Sequence, residues 1–98
     1  MTLKPGCWVE YKRRHNPIWL ELQAVLRDHG VTNYSIFLDR GSNRRLFAYA
    51  EIKSEEQWLQ IAQTEVCRRW WDYMKELMLT NEDNSPVVSE MDEVFHLE

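Results

Sequence analysis

From about Cys7 the chain carries a helical pattern. Tyr11 and His15 stand four apart and share a face, and Ile18, Leu22, Val25 and Leu26 continue an apolar stripe at the same spacing. Pro17 interrupts it. In a continuous helix a proline loses one backbone bond and clashes with the preceding turn, at about 3 kcal/mol. The pattern therefore predicts a bend just after His15. It would be either a kink or two helices, with Asn16 as N-cap and Pro17 at the first helical position. Gly30 follows Asp28-His29 as a left-handed C-terminal cap would.

The period then changes to two. Between Asn33 and Asp39, Tyr34, Ile36 and Leu38 share one face, and Ser35 and Phe37 the other. Between Arg45 and Lys53, Leu46, Ala48, Ala50 and Ile52 oppose Phe47, Tyr49 and Glu51. Arg40-Gly41-Ser42-Asn43 is a turn short enough to make these runs an antiparallel hairpin. Ser54-Glu55-Glu56-Gln57 has the form of a capping box and opens a short helix. Thr64 caps a longer one, from about Glu65 to Met78, with Val66, Trp70, Tyr73, Met74 and Leu77 on its apolar face. Asn81 to Pro86 is a polar loop, and Val87 to Leu97 reads as a last strand, best marked at Val94-Phe95-His96-Leu97. Met1 to Lys4 is a short extended piece closed by the Pro5-Gly6 turn.

The order is strand, helix, strand, strand, helix, strand. That is an α+β, ferredoxin-like βαββαβ arrangement in a single domain, residues 1–98, with helices on one face of the sheet. The open face needs a cover, which a second subunit often supplies. With 98 residues, a chain buries roughly two-thirds of its unfolded surface and gains from association.

Charge narrows the functional classes. A net charge of −4, with Lys12-Arg13-Arg14 the one short basic cluster, argues against nucleic acid. Cys7 and Cys67 make no disulfide framework, and Cys67 reads as a buried structural thiol. No apolar run approaches the ~20 residues of a membrane span, and no signal peptide is evident, so the expectation is a reducing cytoplasm. Two cysteines and three histidines spaced far apart give no metal-ligand pattern. Five tryptophans and four tyrosines exceed what one small core holds, so some line a cleft or an interface. Trp19 and Trp58 are most simply core, and Trp8 is exposed or at an interface. Adjacent Trp70 and Trp71 point about 100° apart on a helix. Either Trp70 is core and Trp71 lies at a cleft or an interface, or both reach a ligand. His29 suits the end of its helix dipole, and His96 reads as structural.

Tyr11 through Trp19 combines a tyrosine, a histidine, a proline and a tryptophan in a way no packing rule requires. Its Arg13-Arg14-His15-Asn16-Pro17-Ile18-Trp19 core resembles the signature of the L-rhamnose mutarotases. The likeness continues through His29-Gly30, Asn33 to Asp39, Ser54 to Trp58, Val66-Cys67-Arg68-Arg69-Trp70-Trp71, Asp83-Asn84-Ser85-Pro86 and Glu93 to Leu97. The resemblance implies a dimeric α/β barrel that interconverts the anomers of L-rhamnose without metal or organic cofactor. It implies His15 as proton donor, and Tyr11, Tyr34, Trp70 and Trp71 as sugar-binding residues. Against the family pattern the first strand is shortened at Met1 to Lys4.

The residue types suit that chemistry. Mutarotation moves a proton off the anomeric hydroxyl and another onto the ring oxygen. Histidine is the side chain that titrates near neutrality. A phenol with pKa about 10 is a poor base there. Tyr11 and Tyr34 are therefore orienting groups first and a relay second. A water, a carboxylate at the sugar or a tyrosine would each serve as base. Two other readings fit the aromatic richness: a cofactorless monooxygenase-like dimeric barrel, and a non-catalytic sugar-binding module.

Overall fold

The computed structural model describes residues 1–98. Four helices and one hairpin follow in the order α1 (Trp8–Arg14), α2 (Leu20–Asp28), β1 (Thr32–Leu38), β2 (Leu46–Glu51), α3 (Glu55–Ile61) and α4 (Glu65–Met74). A single 3₁₀ turn, Lys75–Leu77, ends α4 earlier than the apolar pattern predicted.

The bend after His15 resolves as two helices. The Asn16–Pro17 peptide is cis. Neither residue starts α2, whose N-cap is Trp19. Asn16 is otherwise engaged: its side-chain amide donates to the Lys12 carbonyl at 2.8 Å and closes the end of α1. The end of α2 matches expectation. Gly30 N–H donates to Arg27 O and Val31 N–H to Leu26 O, each at 3.0 Å, a Schellman motif around a glycine at φ +81°. Ser54 Oγ accepts from Gln57 N–H at 3.1 Å, and Thr64 Oγ1 from Cys67 N–H at 3.2 Å, so both predicted caps form.

β1 and β2 pair antiparallel, with Phe37 opposite Phe47 and Leu38 opposite Leu46. The alternation sends Ile36, Leu38 and Leu46 towards the core. It leaves Phe37 and Phe47 on the outer face, 55% and 46% exposed. The register slips between Thr32 and Ser35. There Asn33 takes a φ of +48° and its amide donates to the Glu51 carboxylate at 2.8 Å.

The last strand is not where the alternation of Val94 to Leu97 placed it. Residues 87–98 form no regular element, and Val94, Phe95 and Leu97 are 79–95% exposed. The backbone beside the N-terminal segment is already taken by residues around Met78. Leu3 bridges Met78, Thr2 bridges Arg45, and Leu79 N–H donates to Thr2 O at 2.9 Å. With that edge occupied, the terminal run does not pair beside the N-terminal segment.

The main core gathers Leu3, Tyr11, Leu22, Leu46, Trp70, Met74, Leu77 and Met78 between the helices and the hairpin. Leu3 and Met74 are 0% and 2% exposed. Each such side chain contributes about 1.5–3 kcal/mol. A smaller cluster of Val31, Ile61 and Cys67 sits below it.

Gly30→Ala tests the α2 cap. A β-carbon there would come 2.9 Å from the flexible Lys53 side chain, and the left-handed backbone is the larger cost. The expected loss is about 1–2 kcal/mol, read from the urea midpoint; an unchanged midpoint would contradict this account of the cap.

Candidate active site

His15 closes α1 as its C-cap residue. Its Nδ1 lies 2.8 Å from the Tyr11 carbonyl, one turn back. A carbonyl oxygen only accepts, so Nδ1 carries the hydrogen. In the neutral ring, Nε2 therefore keeps its lone pair. Burial holds the His15 pKa below its ordinary 6.5, and the bond to the Tyr11 carbonyl opposes that shift without cancelling it.

Aromatic rings surround the imidazole. The Tyr11 ring centroid lies 4.3 Å away at a tilt of 33°. Trp70 meets it edge to face at 5.1 Å and 89°. Trp19 approaches Trp70 in the same way, at 5.1 Å and 83°, and stacks on Tyr73 at 5.4 Å. Spacing sets this arrangement. Tyr11 and His15 share a face of α1, while Trp70, Tyr73 and Met74 form the inward stripe of α4.

Tyr34 comes from β1. Although 39% of the residue is exposed, its phenol is desolvated enough to be held above the ordinary value, with the Cys67 thiol a lesser cause. Burial pushes Tyr11 well above the phenol range, and the Tyr34 phenol adds to that shift. Both hydroxyls therefore keep their protons at neutral pH and can donate. Burial also pushes the Cys67 thiol up to about 11, the state of an inert structural thiol rather than a nucleophile.

All five residues singled out in the sequence line one open cavity of about 1480 Å³. His15, Tyr11 and Trp70 touch directly. Tyr34 lines the same cavity, its phenol near enough to influence that of Tyr11, and half-buried Trp71 packs against both core clusters. Two expectations change. Trp58 is not core: 36% of it is exposed and it lies edge-on to Tyr34 at 6.2 Å, because only Ile61 of α3 is buried. Trp19 packs against the core but is itself half-buried and supports Trp70. Sequence reading gave Tyr73 only a packing role. The signal for more was its place three residues after Trp70. No group of three or more His, Cys, Asp or Glu side chains is placed to hold a metal ion.

The family model for L-rhamnose mutarotase matches residues 1–97. The chain belongs to the L-rhamnose mutarotase family. It is accordingly an isomerase. It is similar to the L-rhamnose mutarotase of Escherichia coli O7:K1 (strain IAI39 / ExPEC), with 58% identity over 97 residues, 99% of this chain and 92% of that protein. The enzyme of Shigella flexneri serotype 5b (strain 8401) matches to the same extent. Among solved structures, the L-rhamnose mutarotase of Formosa agariphila superposes with a TM-score of 0.88 at 41% identity, over 100% of this chain and 93% of that one. No helix of this family member is long and apolar enough to cross a membrane.

The protonation state of His15 is directly measurable. NMR titration should place its midpoint below 6.5, with nitrogen shifts showing Nδ1 protonated in the neutral form. The sign for stability follows. Between 6.5 and the lower folded value, the unfolded chain holds this proton more firmly. His15 thus costs no stability above about 6.5 and lowers it as the pH falls through that window. His15→Gln should flatten that part of the pH–stability curve; an unchanged slope would contradict the lowered pKa.

Proposed function

We propose that the chain interconverts the α and β anomers of L-rhamnose, with His15 carrying the proton. The observation that carries this reading is the Nδ1 bond to the Tyr11 carbonyl, which leaves Nε2 as the free nitrogen of a neutral imidazole. Neutral Nε2 takes the proton of the anomeric hydroxyl. The C1–O1 bond becomes the aldehyde double bond as the bond from C1 to the ring oxygen breaks. The imidazolium then returns its proton to the ring oxygen. After the aldehyde rotates, the same steps run backwards on its other face. One histidine acts first as base and then as donor, so the proposed cycle runs without a second titrating group.

Tyr11 and Tyr34, protonated at neutral pH, donate hydrogen bonds to sugar hydroxyls. Trp70 and Trp71 offer apolar walls to the C–H face of the pyranose and its methyl group. The substrate rests on the names of the relatives, which are L-rhamnose mutarotases.

The fold supports a finer reading too. The bridges from Thr2 to Arg45 and from Leu3 to Met78 continue the hairpin in the strand order of a ferredoxin-like βαββαβ sheet. We infer that a second copy covers the outer sheet face, forming a dimeric barrel. Phe37, Phe47 and Tyr49 are 55%, 46% and 51% exposed there, and the first two stack at 6.2 Å. Such a patch is characteristic of an interface.

Exchange NMR on L-rhamnose tests the chemistry. The protein should speed anomer interconversion, and His15→Ala should lower the catalysed rate on the order of 10²–10⁴-fold. The wild-type rate should rise with pH through the lowered His15 pKa and level off above it. Exchange left at the uncatalysed rate by a folded sample would end this reading in favour of a binding module or a different barrel enzyme. For assembly, sedimentation should show a dimer and Phe47→Asp should shift it towards monomer; a monomeric wild-type protein would refute the proposed interface.

A further inference from the structure

Arg14 is an arginine in an unusual place. Its side chain is only 9% exposed, although the residue stands at the end of a surface helix. A guanidinium leaves water at a high cost unless its donors are matched. Here they are. Nη1 donates to the Tyr73 carbonyl at 2.5 Å, Nη2 pairs with Glu76, and Nε reaches Glu10 at 3.3 Å. The guanidinium carbon also lies 4.1 Å over the Tyr73 ring. The Tyr73 carbonyl belongs to the last turn of α4, where carbonyls lack helical partners and a cation is favoured. One planar fork thus fastens the last turn of α1 to the last turn of α4, across 59 residues of sequence.

What lies beside the fastening gives it meaning. His15 follows Arg14 directly and takes its position from the same turn. Trp70 stands one turn before Tyr73, and the Tyr73 ring lies 5.8 Å from it. The contact between His15 and Trp70 joins the same two helices that Arg14 clamps. Arg14 itself does not line the cavity.

We propose that Arg14 is a positioning residue for the reaction, holding α1 against α4 so that the His15 imidazole keeps its place on Trp70. This rests on the reading of His15 as the proton carrier. Lysine cannot replace it: an ammonium supplies neither the fork nor the stacked plane. Displacement of His15 by about an ångström would cost far more in turnover than in binding, because Tyr34 and Trp71, neither of them on α1, still hold the sugar.

Arg14→Lys tests this, with initial rates followed by polarimetry from one freshly dissolved anomer over a range of L-rhamnose concentrations. The folded variant should lose on the order of ten- to a hundredfold in kcat, with KM moved less than about threefold. The pKa governing its pH–rate profile should move back towards 6.5 as the loosened site hydrates. Wild-type kcat and pH profile in folded Arg14→Lys would overturn the proposal. Should that variant fail to fold, Glu10→Gln/Glu76→Gln, which strips the clamp's two carboxylates, carries the same decision. A fall in kcat at held KM supports the clamp, and wild-type kinetics overturns it. His15→Ala run alongside separates the two ideas. If it stays active, the role of His15 is at fault; if it is inactive while the clamp variants behave as wild type, only the role of Arg14 falls.

Discussion

The edge-to-face contact between the Trp70 indole and the His15 ring is the one on which the geometry of the site depends. α1 supplies one ring and α4 the other, and neither helix alone could fix the imidazole in space. Trp70 is buried and held in turn by Trp19 and Tyr73. The site is therefore a by-product of helix packing. Trp19 and Tyr73, by holding Trp70, help decide where the imidazole sits, and the core and the candidate site share one set of side chains.

Burial then acts with opposite sign on the two kinds of titratable group in the cavity wall. It lowers the pKa of the imidazole, whose charged form is the protonated one, and raises that of the phenols, whose charged form is the deprotonated one. One desolvated environment thus widens the gap between a group that can accept a proton near neutrality and two that can only offer hydrogen bonds. No neighbouring charge is needed for this division of labour. It comes from placing histidine and tyrosine where burial desolvates both.

Much of this was legible in the residues. The helical stripes, the Gly30 cap, the Ser54 and Thr64 caps and the hairpin follow from local rules, and local rules hold when the side chains concerned have no competing partner. Where they failed, a competitor was present. Asn16 has the right chemistry to cap α2, but its amide is drawn to the Lys12 carbonyl. Val94 to Leu97 alternates like a strand, yet a strand also needs an unpaired edge, and the periodicity of one segment says nothing about edges elsewhere. The grouping of Tyr11, His15 and Trp70 shows the same division. The four-residue spacing joins the first two, whereas the third arrives from 55 residues further on, through packing that no local pattern encodes. Tyr73 and Arg14 were the hardest to see, since an aromatic on an apolar stripe and an arginine in a basic run both have ordinary explanations.

The partner that sets the His15 tautomer is a main-chain carbonyl. A carboxylate in that role could be lost in one mutation, and the ring would then be free to turn or change tautomer. A backbone oxygen survives every substitution at position 11. Drift at that position can alter the cavity wall, yet any sequence that still forms the last turn of α1 presents the same acceptor. Side chain and backbone of residue 11 are thereby separable under mutation: the one is free to reshape the cavity wall, while the other keeps fixing the neighbouring ring.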